Sequence, residues 1–213
     1  MKKFLILPLL AILSGCQPSK ITQTWTAPDA APKKYQKILV LGVLTADDNE
    51  LQVLMENHLA GDLKEKGYNA YAANTVFPPG TFVKGDTLRA KNAILNGGFD
   101  GVLTVVLLDK KKEQVYVPGR ITEYRYYNRY GRFDRYLYGV SDRIYTPGYY
   151  ATETRYIWEN NFYDLGNLQL VYSARSRTFD IASRNTLAHT YGQLMVESLV
   201  SKRILLVADG KPE

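Results

Sequence analysis

The chain has 213 residues, 27 Lys or Arg against 21 Asp or Glu, and a single cysteine, Cys16. That length suits one domain with a real core, and a lone cysteine excludes an internal disulfide and a cysteine-based zinc cluster. The positive charge is local: nine basic and four acidic residues fall between Lys110 and Arg143, so a concentrated basic patch governs the choice of partner.

Residues 1–15 open with Lys2 and Lys3 and run apolar from Phe4 to Leu13, broken by Pro8. About ten apolar residues fall short of the roughly 20 a spanning helix needs; they have the proportions of a secretory signal peptide. Leu13-Ser14-Gly15-Cys16 resembles the lipobox of bacterial lipoproteins, where a cysteine after small residues is diacylated and becomes the new amino terminus. The resemblance implies a covalent lipid on Cys16, and acyl chains contribute roughly 0.8 kcal/mol per buried methylene to anchoring. With Gln17 rather than aspartate after it, the resemblance to lipoproteins implies, under enterobacteria-like sorting rules, passage to the outer membrane, and the domain is expected on its periplasmic face. Loss of the leader lowers the net charge from +6 to +4. Residues 16–34, rich in Pro, Ser, Thr, Ala and Lys around an isolated Trp25, predict a lipidated flexible tether. A single domain is then expected over 35–207, with a tail at 208–213.

Within it, the branched apolar run Lys37–Val43 predicts a strand covered on both faces. Asp47, Asp48 and Asn49 offer caps to a helix whose stripe is Leu51, Leu54, Met55, His58, Leu59 and Leu63, stopped by Gly67. Tyr68–Ala72 predicts a second strand, and residues 77–80 a turn. Asp86 caps a second helix ending at Gly97-Gly98, and Gly101–Leu108 is another buried strand. Alternation over Thr152–Phe162 and Leu168–Thr178 about an Asp164–Asn167 turn predicts an antiparallel hairpin. A final helix from about Arg184 to Arg203 buries Leu187, Tyr191, Leu194, Met195, Ser198 and Leu199, and Ile204–Val207 adds a short strand. The fold class is therefore α/β (α+β), a three-layer-like mixed sheet. A β-α-β-α-β first half is followed by antiparallel hairpins and a carboxy-terminal helix. With the lipobox, the "KILVLGV" and "GFDGVLTVVL" strands and the "YDLGNLQLVYSARSRTFD" hairpin, the order is similar to uncharacterised Gram-negative outer-membrane lipoproteins. Their domain looks like that of CsgG-type secretion lipoproteins and the amino-terminal domain of TolB. The resemblance implies an envelope role and transfers no site residues.

Catalytic chemistry finds little purchase. The sequence has no HExxH, G-x-S-x-G or Walker loop, and the turn after the first strand lacks the glycine a phosphate needs. His58 is expected as a hydrogen-bonded core histidine and His189 as a solvent-facing one. Asp47, Asp48 and Glu50 suit helix capping better than a cation. The expectation is no catalytic residue, no metal and no cofactor beyond the lipid; the alternative enzyme is one acting on cell-wall or other carbohydrate with paired carboxylates.

The remaining feature is TEYRYYNRYGRFDRYLYG, residues 122–139, with six of the chain's 17 tyrosines and four arginines. Tyr124, Tyr126, Tyr130, Tyr136 and Tyr138 share one parity, opposite to Arg125, Arg129 and Arg135, which predicts a two-faced hairpin of roughly 115–127 and 132–140 within an insertion at about 115–150. Tyr124, Arg125, Tyr126, Tyr127, Arg129, Tyr130, Arg132, Arg135, Tyr136 and Tyr138 form the candidate docking surface, since both residue types concentrate binding energy at interfaces. Other accounts are a hairpin whose arginines protect a sheet edge, and one that inserts in the membrane within an oligomeric barrel. The expected partners are the membrane through the lipid, and an envelope protein or anionic envelope glycan; an oligomer is compatible, and the compartment excludes nucleic acid. The functions that follow are a non-enzymatic docking or assembly factor or, alternatively, a subunit of an outer-membrane secretion or transport assembly.

Overall fold

The computed structural model describes residues 19–82, 85–119, 147–179 and 183–206. Six strands form one open sheet: β1 (Ser19–Thr26), β2 (Ile38–Val43), β3 (Ala70–Ala72), β4 (Gly101–Val117), β5 (Tyr149–Asp164) and β6 (Gln169–Phe179). Four helices are described: α1 (Asn49–Glu65), α2 (Ala73–Val76), α3 (Thr87–Asn96) and α4 (Arg184–Ser201), with a 3-10 turn at Ala46–Asp48 before α1. The strand order is β1-β6-β5-β4-β2-β3. β3, β2 and β4 are mutually parallel, and β4, β5, β6 and β1 are antiparallel. This is the expected mixed α/β sheet.

Strand parity divides the apolar side chains between two cores. Ile38, Val40, Leu103, Val105, Trp158, Phe162 and Tyr172 point to one face, where α1 and α4 cover them with Leu51, Met55, Leu59, Leu187, Tyr191, Met195 and Leu199. Leu39 and Val102 point to the other, under Ala73, Ile94 and Phe99. That second cover reaches only the parallel half. Over β5 and β6 the outer face keeps Arg155, Ile157, Glu159, Arg175 and Arg177 partly or fully exposed.

Helix ends follow the sequence with one exception. Asp86 accepts from Arg89 N at 3.0 Å and caps α3, and Gly67 and Gly98 take positive φ past α1 and α3. Asp48, however, makes no capping bond to α1; its carboxylate is drawn to Lys110 instead. Glu56, 1% exposed, accepts from Gly42 N (2.9 Å), Gln52 Nε2 (3.1 Å), Asn74 N (2.7 Å) and Asn74 Nδ2 (2.7 Å). One carboxylate thus ties β2, α1 and α2 together. Gly42 is required there, because a Cβ would lie 2.5 Å from Gln52 Cγ.

Three expectations change. Ser19–Thr26, expected within a flexible tether over 16–34, instead pairs with β6 and extends the domain to Ser19. Its Thr, Ile and Trp residues suit an edge strand, whose polar side chains face water. The strand expected to stop at Leu108 runs on to Val117, because its pairing with β5 continues after the apolar run ends. Finally, of the strand expected over Ile204–Val207, the described residues 204–206 contribute an isolated bridge between Leu205 and Lys33.

Candidate docking site

β4 and β5 are the longest strands, and they outlast their neighbours. β2 pairs with β4 only as far as Val106, and β6 with β5 only as far as Arg155. Beyond that point the ribbon has two strands among the described residues, paired residue for residue from Lys111 and Arg155 to Val117 and Tyr149. Lys110 fixes the root: its Nζ lies 2.5 Å from Asp48 Oδ1 and 5.8 Å from the Tyr156 ring centre. On the outer face Arg155 pairs with Glu113 at 2.7 Å. From Glu113 and Glu153 outward no residue of either strand is buried.

The end of this arm is aromatic. Tyr149 is 61% exposed, Tyr150 70% and Tyr116 55%. The Tyr116 and Tyr150 rings, cross-strand partners, sit 5.3 Å apart, and Tyr116 lies so close over Gly148 that a Cβ there would fall 2.2 Å from its hydroxyl. Such a pair adds about 0.5–1.5 kcal/mol, which does not make a lone two-stranded ribbon robust in water.

Tyr124, Arg125, Tyr126, Tyr127, Arg129, Tyr130, Arg132, Arg135, Tyr136 and Tyr138 lie outside the described residues, as does Cys16. The structure does place the segment that holds the ten in the connection between β4 and β5. Residues 115–117, assigned to the first strand of a local hairpin, pair instead with Tyr149–Ala151. Tyr116, Tyr149 and Tyr150 were not singled out as surface residues; their signal was the clustering of tyrosine that runs on to Tyr150.

The remaining polar clusters are engaged in the fold. Glu50 pairs with Arg184 at 2.5 Å. His58 is half-buried and shares a 2.8 Å hydrogen bond with Asn185, while His189 is exposed, its ring 5.5 Å from that of His58. Asp62 beneath them is buried with Oδ2 unpaired, and burial raises its carboxyl above the usual range. Tyr191 accepts from Asn160 and Ser176 in the core, and burial holds its phenol well above the ordinary value. At the sheet end opposite the arm, a half-open cleft of about 330 Å³ is lined by Asp29, Lys33, Tyr35, Asp164, Asn167 and Gln169, among others. Its main charges neutralise each other, Lys33 bonding both oxygens of Asp164 at 2.9 and 2.7 Å. Among the described residues no group of acids and histidines is arranged to hold a metal, and no helix is long and apolar enough to cross a membrane.

No protein-family model and no curated protein sequence matches the chain. Among solved structures it is similar to the PelC dodecamer from Paraburkholderia phytofirmans, with a TM-score of 0.50 and 11% identity over 85% of this chain and 96% of that one. The two share a fold. A looser likeness, TM-score 0.43 at 17% identity, joins 78% of this chain to 98% of the lipoprotein GNA1162 from Neisseria meningitidis.

Proposed function

We propose that the protein is a lipid-anchored component of the outer membrane, facing the periplasm, that works without catalysis as a docking or assembly factor. The observation that carries this is the β4–β5 arm, a ribbon with exposed tyrosines on both faces and, among the described residues, no third strand to support it. A ribbon of that kind gains its stability from what it touches. The Tyr/Arg segment follows its first strand in the sequence, and the local positive charge there suits an anionic envelope component. Cys16 and Gln17 supply the anchor and the address. A non-catalytic role is supported by the acids at the carboxyl ends of the parallel strands, where α/β sheets usually bind ligands. Glu56 and Asp48 are there committed to holding elements together.

The test is a variant with Tyr116, Tyr149 and Tyr150 all changed to serine, beside one with Tyr126, Tyr127 and Arg129 changed. Each should keep the parent's melting curve and lose crosslinks formed in cells from a photoreactive residue at position 151. Undiminished crosslinking in both variants would mean that the arm is not the contact.

A second reading, favoured by the fold shared with a dodecamer, makes the protein a repeating subunit of an outer-membrane secretion or transport assembly. It requires a defined oligomer after gentle detergent extraction. A clean monomer in analytical ultracentrifugation at high protein concentration removes it.

A further inference from the structure

The register of β1 relates the anchor to the arm. Ser19 pairs with Thr178, Thr178 with Tyr156, and Tyr156 with Lys110. The first residue of β1 is therefore level with the root of the arm. β1 runs in the same direction as β5, because both are antiparallel to β6, and β5 comes in from the arm's end. The covalent chain allows Cys16 little freedom. Three peptide units separate it from Ser19, and at no more than about 3.6 Å each they span at most roughly 11 Å. From Lys110 and Tyr156 to Val117 and Tyr149 is seven residues on each strand, or about 23 Å. The arm reaches about twice as far from that level as the anchor does.

Two orientations satisfy the short link. In one, the strands point at the membrane, and the arm's end arrives there with the lipid. In the other, the β1 edge lies along the membrane and holds the arm's two strands about 10 and 14 Å above it, two and three strand spacings away. The side chains choose between them. The β1 edge offers Lys20, Thr22 and Gln23 to solvent near the anchor and a single ring, Trp25, toward its far end, whereas the arm's end gathers Val115, Tyr116, Tyr149 and Tyr150. Lys111 and Lys112 are exposed just behind. Tyrosines with lysines on the body side match the headgroup layer, where phenols span the polar boundary and cations meet anionic lipid.

We propose that the end of the β4–β5 arm, Val115 to Val117 with Tyr149 and Tyr150, beds in the headgroup layer of the membrane that holds the lipid on Cys16. The proposal rests on the anchored reading above and names the arm's partner as an anionic lipid surface. The protein then has two attachments at one end of its sheet, which fixes its tilt.

The experiment uses the acylated full chain in vesicles of phosphatidylethanolamine and phosphatidylglycerol. Acylation consumes the thiol of Cys16, the chain's only cysteine, so an environment-sensitive fluorophore on Tyr150→Cys labels one site. Its emission should shift to the blue and be quenched by headgroup-level spin-labelled lipid. The same label on Lys66→Cys, past the end of α1 near the opposite sheet end, should stay water-like. A ten-residue Gly/Ser linker inserted before Ser19 adds roughly 17 Å of reach and should weaken the quenching at position 150.

A label at 150 as wet as that at 66, on protein whose amino-terminal peptide carries the acyl mass, overturns the proposal. Shielding at Gln23→Cys with 150 left wet does so too, in favour of the edge-on orientation. Shielding of 150 only after envelope proteins are added replaces the lipid partner by a protein. An amino-terminal peptide without acyl mass removes the anchored reading itself, and mass spectrometry tells that failure from the others.

Discussion

Changing Glu56 to glutamine alters one atom and tests how β2, α1 and α2 are held. The two carboxylate oxygens of Glu56 receive four hydrogen bonds, two of them from main-chain N–H groups at Gly42 and Asn74. Glutamine replaces one acceptor by an NH2, and whichever way the amide turns, that group meets a main-chain N–H. Hydrogen bonds to a charged group contribute about 1.5–3 kcal/mol, and a buried donor left unpaired costs about 1–3 kcal/mol. The side chains of Gln52 and Asn74 are able to turn to water; the main-chain donor is not. Counting that donor in full gives a net loss of about 3 kcal/mol, or roughly 6–12 °C in Tm for a domain of this size. Urea titration should show a lower midpoint at unchanged slope. Amide hydrogen exchange should quicken first at Gly42 or Asn74. A variant within about 0.5 kcal/mol of the parent, with both amides equally protected, refutes the idea that this carboxylate is the tie.

The crossing of α1 and α4 supplies two more tests. A Cβ on Gly192 would fall 2.2 Å from Asp62 Oδ2, so Gly192→Ala should cost about 1–3 kcal/mol in urea, and Asp62→Ala in the same chain should recover part of it. Burial raises the Asp62 carboxyl, with His189 opposing, Glu65 adding and His58 opposing. The folded protein then holds a proton that the unfolded chain gives up. This contribution is complete below the ordinary carboxylate range and is lost as pH rises through the elevated value. Asp62→Asn should therefore gain on the parent from about pH 4 upward, and a parent-minus-variant difference that does not change with pH refutes it. At the arm's root, Lys110→Met leaves the Asp48 carboxylate, 7% exposed, without its cation. The loss should be about 1–2 kcal/mol, with faster amide exchange from Lys111 outward; exchange unchanged there would show that the pair does not secure the arm.

Most of the body was legible because apolar periodicity carries it. Trp158 and Phe162 alternate as strand residues, and Leu187, Tyr191, Met195 and Leu199 recur as a helix stripe; all are buried as expected. Legibility fails where a strand has one wet face. SKITQTWT has the polarity of a linker, and only its pairing with β6 distinguishes it from one. Lys110–Gln114 likewise ends an apolar run without ending the strand, because both faces of the ribbon meet water there. The candidate docking residues are visible as a composition and a parity, but the arm between whose strands they fall in sequence depends on where β2 and β6 stop, and no local pattern encodes that. Glu56 is another such case: an acid on a helix is ordinary until distant amides close around it.

The edge strand also sets an order of events in time. Ser19 Oγ bonds Thr178 Oγ1 across 159 positions, so the first stretch of the domain to be made is the partner of one of the last. β1 has no place to dock until β6 has formed, and contacts of such long range are slow to close. Until then Ser19–Thr26 lack the pairing that holds them in the sheet, so the body has to fold before this stretch can join it. Closing the sheet afterwards draws Ser19 in beside Thr178, so the chain's own connectivity makes its amino-terminal edge the last part of the sheet to form.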